Sequence, residues 1–221
     1  MLSMNKINVI YEDNHLLVVE KPINVPVQED ESKDEDLLSI LKNYIKVKYN
    51  KPGNVYLGLV HRLDRPVGGI MVFAKTSKCA SRLSEQVRSK KFKKVYNAVC
   101  IGKIDDSGKL VDFLLKDKRK NIVKIDKSGK ECVLYYKRLN YKNNLSLVEI
   151  NLETGRSHQI RVQLSNYGYP LYGDQKYNRN SKVGEQIALF AKSIEFYHPI
   201  SNEKLHFEID LPNRGPFLYF K

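Results

Sequence analysis

The sequence predicts an α+β fold: a single domain, residues 1–221, built on one mixed, mainly antiparallel β-sheet with flanking helices packed outside it and a basic cleft across it. Three observations carry this expectation. Short apolar runs separated by turn residues recur through the second half of the chain, the mark of a meander of antiparallel strands. Only a few segments place apolar residues at helical spacing. No internal repeat, low-complexity tract or convincing linker interrupts the chain, and 221 residues with 42% hydrophobic content are ample for one domain with a real core, or for two small ones.

The elements follow in order. Ile7 to Tyr11 and Leu16 to Glu20 are apolar runs bounded by turn chemistry and read as strands. An acidic stretch, Glu29 to Asp36, then precedes Leu37, Leu38, Leu41, Tyr44 and Ile45, whose spacing marks an amphipathic helix, with Asp34 or a neighbouring acid suited to its positive end. Lys51-Pro52-Gly53-Asn54 ends that helix, Leu57 to Val60 is a short strand, and Ile70 to Ala74 is another. Thr76 or Ser77 caps a second helix with Ala80, Leu83 and Val87 on one face. From Lys93 onward come strands at Val95 to Ile101, Leu110 to Leu115, Ile122 to Ile125, Glu131 to Leu139 and Leu145 to Leu152. A helix from His158 to Tyr167 ends at Gly168, a suitable C′ residue, and Ile187 to Tyr197 and Leu205 to Leu211 form the last strand pair.

Composition narrows the class. With 14 Tyr, 8 Phe and only 12 Gly and 8 Pro, the chain reads as globular rather than disordered. Its 38 Lys and Arg against 25 Asp and Glu leave +13, a surplus that implies a polyanionic partner, nucleic acid before anionic membrane. Cys79, Cys100 and Cys132 are odd in number, far apart and form no C-x-x-C, so they are expected to be ordinary buried thiols. No stretch approaches the ~20 apolar residues of a membrane span and no apolar leader opens the chain, so a soluble, cytoplasmic protein is expected.

Three segments carry the chemistry. His61-Arg62-Leu63-Asp64-Arg65-Pro66-Val67-Gly68-Gly69 sets one carboxylate between two arginines on a constrained turn between two strands. The guanidiniums favour ionised Asp64, Pro66 fixes a φ just beyond it, and Gly68-Gly69 permits close backbone approach or positive φ, a setting fit for a nucleophile or general base. Arg88, Lys90, Lys91, Lys93 and Lys94 surround Phe92 at the end of the second helix. Such a run is either a solvated helix end or a phosphate-contacting segment, and the overall charge tips the balance toward RNA or DNA. Glu153 to Val162 offers Arg156, His158, Gln159 and Arg161 around a helix start, groups able to bind phosphate or clamp a carboxylate. His61 and His158 lack the companions a metal site requires and read as hydrogen-bonded scaffold, while Lys21 and Pro22 read as a strand end rather than a pocket floor.

In that order, His61-Arg62-Leu63-Asp64, Lys94-Val95-Tyr96-Asn97-Ala98 and Thr154-Gly155-Arg156-Ser157-His158-Gln159-Ile160-Arg161-Val162 closely resemble the three signature motifs of RluA-type pseudouridine synthases. Further likeness at Asn14 to Pro22, Gly168 to Asp174, Ala188 to Ala191 and His198-Pro199 extends the resemblance from about residue 7 to residue 212. The catalytic-domain pattern begins almost at once, so the amino-terminal S4 module common in the family is expected to be absent. Phe190 and Gln163 stand where the family usually has His, differences that bear on packing or substrate choice.

The resemblance implies the pseudouridine synthase fold and isomerisation of uridine in RNA, ribosomal or transfer, without cofactor or metal. Asp64 is then the essential catalytic residue, either attacking covalently or abstracting a sugar proton. Tyr96 stacks on the target base near C5, and Arg161 pairs with Asp64 and keeps it charged. A uridine in a helix must be extruded to be reached, and Arg62 fills the vacated space or holds a flanking phosphate. Arg62, Arg65, Arg88, Lys90, Lys91, Lys93, Lys94, Arg156 and His158 are the expected RNA-binding residues of a monomer. Substrate choice falls to the basic run, the hairpins between Gly102 and Lys130, and the loop from Arg179 to Gly184.

Read singly, Asp64 would be a turn-capping aspartate, Tyr96 a core tyrosine and Arg161 a surface arginine. The rival class is a catalytically silent RNA-binding or ribosome-assembly protein, against which the intact Asp64, Tyr96 and Arg161 set argues. A carboxylate-dependent glycosidase would want a second acid or base ~5 to 10 Å from the first, and no such partner is legible.

Overall fold

Apolar periodicity and turn chemistry place the elements close to where the sequence led one to expect them. A computed structural model describes residues 7–117 and 119–221. Along the chain run β1 (Asn8–Glu12), β2 (Leu16–Lys21), α1 (Leu37–Lys48), β3 (Gly58–Leu59), β4 (Gly68–Ala74), α2 (Ser77–Arg88), β5 (Lys93–Ile101), β6 (Ser107–Asp117), β7 (Ile122–Ile125), β8 (Lys130–Lys142), β9 (Leu145–Leu152), α3 (Gln159–Asn166), β10 (Leu189–Tyr197) and β11 (Lys204–Glu208), followed by a 3-10 turn, Gly215–Phe220. The fold is α+β, its strand pairing mostly antiparallel. Two compact units divide it: the chain up to Lys93 with Ala191–Ile209, and Lys94–Phe190 with Asp210–Lys221.

In the first unit β1, β2, β4, β10 and β11 lie in that order, with β3 pairing β4. Strand β4 is buried at every residue because β2 and β10 both pair with it. The core gathers Leu16, Val18, Ile70, Val72, Cys79, Leu83, Phe92, Ile194 and Phe196, with Phe92 stacked on Phe196 at 5.2 Å between ring centroids. Gly69 is the tight point. Its φ is +123°, and a Cβ there would lie 2.3 Å from the Ala191 carbonyl oxygen, so no other residue fits.

Helix α1 is capped by Asp36, whose Oδ1 accepts from Ser39 N at 3.0 Å. Of the acids expected at this helix start, Asp36 is the cap, while Asp34 pairs with Arg65. The buried face of α1 is Leu37, Ile40, Leu41 and Ile45. Glu12, at the end of β1, accepts hydrogen bonds from Lys48 (2.7 Å), Lys75 (2.9 Å), Tyr44 (2.9 Å) and Tyr49 (2.8 Å) and so ties α1 to the sheet. Burial pushes this carboxyl up, but the two ammoniums and two hydroxyls outweigh it and hold the pKa at about 2. In α2, Thr76 Oγ1 accepts from Cys79 N at 3.2 Å, as its sequence position predicts.

In the second unit the order is β5, β9, β8, β6, β7. Strand β6 alternates, with Leu110 and Leu114 inward and Lys109, Val111, Phe113 and Leu115 outward. It and β8 outrun their apolar stretches because the antiparallel ladder continues to the Ser107↔Lys137 pair, where hydrogen bonding rather than burial holds the strands. Strand β10 starts later than the apolar run suggests: Ala188 N donates to Tyr172 O and Val99 N to Ala188 O, so this residue joins a loop before the strand begins. Phe190 is core, edge-on to Phe217 at 6.4 Å. The three cysteines are free and buried, and among the described residues no helix is long and apolar enough to cross a membrane.

Candidate active site

The connection between β3 and β4 holds Asp64. Val67 N donates to the Asp64 carbonyl at 2.9 Å, closing a turn over Arg65 and Pro66, and the Asp64 side chain is half-buried. His61 Nε2 accepts from Val72 N at 3.1 Å, which anchors the start of the turn to β4 as the scaffold reading expects. Arg62 is exposed. The guanidinium of Arg65 turns to the loop before α1, donating to Ser32 Oγ at 2.9 Å and Asn24 O at 3.2 Å and pairing with Asp34. The Arg65 guanidinium, expected beside Asp64, has these hydrogen-bond partners in that loop.

Lys21, read from the sequence as a strand end, also reaches this turn. Lys21 is 1% exposed, and its Nζ donates to Val25 O (2.7 Å), Pro22 O (2.8 Å) and Arg65 O (3.0 Å). It does end β2, but it also clamps the backbone next to Asp64, which the strand-end reading missed. Burial lowers its pKa to about 7; the Asp64 charge works against that shift and the Arg65 charge adds to it. A lysine closing a strand otherwise buried on both faces was the available signal.

The basic run after α2 is less free than its composition suggests. Arg88 pairs with Glu85, and Lys93 with Glu195 at 3.0 Å. Lys91 is exposed, and Lys90 adopts φ 57° just past the helix C-cap. Phe92, taken with the run as a possible nucleic-acid contact, is 5% exposed and belongs to the core against Phe196 and His61. Apolar burial, worth ~2–3 kcal/mol for a phenylalanine, decides its direction.

In the second unit Tyr96 lies on β5 opposite Ile150 of β9, 7% exposed. Lys94, two residues earlier, projects from the same strand face and is half-buried, with burial lowering its pKa. The loop into α3 is built from within: Gln159 Oε1 accepts from Thr154 Oγ1 (2.8 Å) and Arg156 N (3.0 Å), and Thr154 Oγ1 accepts from Val133 N (2.9 Å). His158 takes φ 51° at the N-cap, and its Nδ1 lies 2.6 Å from the Tyr177 hydroxyl. Arg156 is exposed, its Nε donating to Glu131 O at 3.1 Å.

Arg161 is 5% exposed. Its Nε donates to Asp174 Oδ2 at 2.8 Å and its Nη2 to Asp174 Oδ1 at 2.7 Å, a bidentate pair over the Tyr177 ring. Backbone N–H groups of Lys176 and Tyr177 also reach Asp174 Oδ1. Asp174 was legible only as part of a block of likeness; a buried guanidinium requires such a carboxylate, but spacing alone does not reveal which one. The other departure, Gln163, donates to Asp112 Oδ2 at 2.8 Å and so serves packing. Asp64 belongs to the first unit, Tyr96 and Arg161 to the second.

The family model described as RNA pseudouridylate synthase matches residues 15–166, and the chain belongs to that family, as an RluA-type RNA pseudouridine synthase. It is 33% identical over 212 residues to the uncharacterized RNA pseudouridine synthase YhcT of Bacillus subtilis (strain 168), covering 94% of this chain and 69% of that one. To ribosomal large subunit pseudouridine synthase C of Buchnera aphidicola subsp. Baizongia pistaciae it is 37% identical over 204 residues, covering 86% and 62%. The solved structure of human RNA pseudouridylate synthase domain containing 4 has the same fold, with a TM-score of 0.78 at 23% identity over 93% of this chain and 89% of that one.

Proposed function

We propose that this enzyme converts specific uridines of structured RNA, ribosomal or transfer, to pseudouridine, with Asp64 as the essential catalytic residue. The whole chain works as one catalytic domain, as a monomer in the cytoplasm. Ribosomal RNA is the favoured substrate because a relative 37% identical to this chain carries the large ribosomal subunit in its name. The observation that carries the assignment is the turn itself: a half-buried aspartate whose flanking backbone is held by a fully buried lysine and by a hydrogen bond within the turn.

In the reaction the N1–C1′ bond of the uridine breaks, the uracil rotates, and a C5–C1′ bond forms; the proton lost from C5 is balanced by one gained at N1. Asp64, as nucleophile or as base toward a sugar proton, needs its charge and a set position. Tyr96 receives the face of the everted base, and a rigid ring costs little entropy to stack. Arg161 serves the carboxylate's charge, and its bond to Asp174 fixes its own rotamer. Arg62, Lys90, Lys91 and Arg156 supply phosphate contacts along the RNA, where each neutralised phosphate strengthens binding.

The test replaces Asp64 with Asn and follows pseudouridine in the RNA of a deletion strain, together with tritium release from C5-labelled uridine. Both signals are expected to vanish while RNA binding persists. Modification at the wild-type level in the variant would end the assignment.

A further inference from the structure

Gly155 and Lys94 meet in a way the folding of the loop does not require. Gly155 does not occupy the left-handed region, so its backbone has no need of a glycine. A Cβ built there would stand 3.1 Å from Lys94 Nζ, inside normal contact. The flanks of Gly155 are immobilised by the Gln159 bonds to Thr154 and Arg156, so the bare position is a fixed feature of the surface. Among the described residues Lys94 Nζ has no hydrogen-bond or ion-pair partner, whereas its neighbours Lys93 and Arg88 are each matched with a glutamate. A half-buried ammonium left unmatched loses solvation with nothing in return until an anion arrives.

We infer that Lys94 and Gly155 form a seat for one RNA phosphate, that of the target uridine or its immediate neighbour. The glycine leaves room for phosphate oxygens to approach the ammonium, and Lys94 shares a strand face with Tyr96 at a separation on the order of 7 Å, within the span of a single nucleotide. The seat therefore positions the backbone of the nucleotide whose base meets Tyr96. The inference rests on the reading of Tyr96 as the base platform. An anion held there restores the lysine to its ordinary basicity, so binding takes up a fraction of a proton at alkaline pH.

The experiment uses the full chain and an RNA oligonucleotide in which the wild-type enzyme forms pseudouridine, with single methylphosphonates placed in turn around the target. Lys94→Met is expected to weaken binding on the order of tenfold, the size of one charge-assisted contact, and to reduce the slope of log affinity against log salt by about 0.7–0.9. One methylphosphonate next to the target should cost the wild type the same amount and cost Lys94→Met nothing more; Lys94→Arg should recover most of the binding. Wild-type affinity and slope in Lys94→Met, or equal methylphosphonate penalties in both proteins, overturns the seat. If Lys94→Met fails to fold, the methylphosphonate scan on the wild type decides: a uniform penalty at every position overturns it. An oligonucleotide still modified by the wild type isolates failure of the seat from failure of the catalytic reading, which would instead appear as no pseudouridine in any RNA.

Discussion

The buried ammonium of Lys21 donates to the carbonyl of Arg65 at 3.0 Å, joining the end of β2 to the residue after Asp64. Two further carbonyls, of Pro22 and Val25, complete its coordination. The carboxylate turn is thus braced from below by a cation that contributes no atom to the turn, and the brace is protonated only part of the time near neutrality.

Lys21→Met should therefore change how stability varies with pH. The folded pKa lies below the unfolded value of 10.5, so between about 7 and 10.5 the unfolded chain binds more protons and wild-type stability rises with pH. Relative to Lys21→Met, the wild type should gain about 2 kcal/mol from pH 7 to pH 9. Urea denaturation of both proteins at the two pH values checks this; parallel curves would show that the ammonium is not desolvated.

Glu12 also makes stability rise with pH, but here folding favours the charged form. Its folded pKa of about 2 lies below the ordinary 4.5, so the stabilisation is complete above pH 4.5 and lost as pH falls toward 2. Glu12→Gln should cost roughly 2–3 kcal/mol at pH 7 and much less at pH 2, measured by denaturant midpoints across that range.

Asp174→Ala leaves the Arg161 guanidinium buried without its bidentate carboxylate. A loss of about 3–5 kcal/mol in stability is expected, with catalysis reduced in whatever fraction remains folded. Arg161→Lys keeps the charge but not the fork, and should lose activity with a smaller loss of stability. Thermal melts beside tritium-release assays separate the two effects.

Gly69→Ala places a methyl 2.3 Å from the Ala191 carbonyl oxygen at φ +123°. Because the obstacle is backbone and β4 is buried throughout, the variant should lose at least about 3 kcal/mol. Gly155→Ala, which meets only the tip of a lysine, should fold normally; thermal melts check both, and a wild-type melting temperature for Gly69→Ala or a strongly lowered one for Gly155→Ala would contradict the respective statement.

Much of this was legible beforehand. Leu37, Leu41 and Ile45 marked α1, Thr76 marked the cap of α2, and Gly168, at φ +94°, marked the end of α3. These signals are local: a periodicity, a cap or a glycine answers to neighbours within a turn or two. The roles of charged residues were less legible. Arg65 was read as a neighbour of Asp64 and turned to Ser32 and Asp34, while Phe92 was read with the lysines around it and packed on Phe196. Each choice depends on a partner far away in the chain.

By itself the sequence determined the strands and helices, the family and the three segments of chemistry, since motif content and apolar spacing are properties of residues close together in the chain. Tertiary structure alone decided that Lys21 braces the Asp64 turn, that Asp174 takes Arg161, and that the ammonium of Lys94 rests against bare Gly155. The physical reason is desolvation. A charge withdrawn from water must find its partner wherever the folded chain brings one, and that partner is set by packing, not by distance along the sequence.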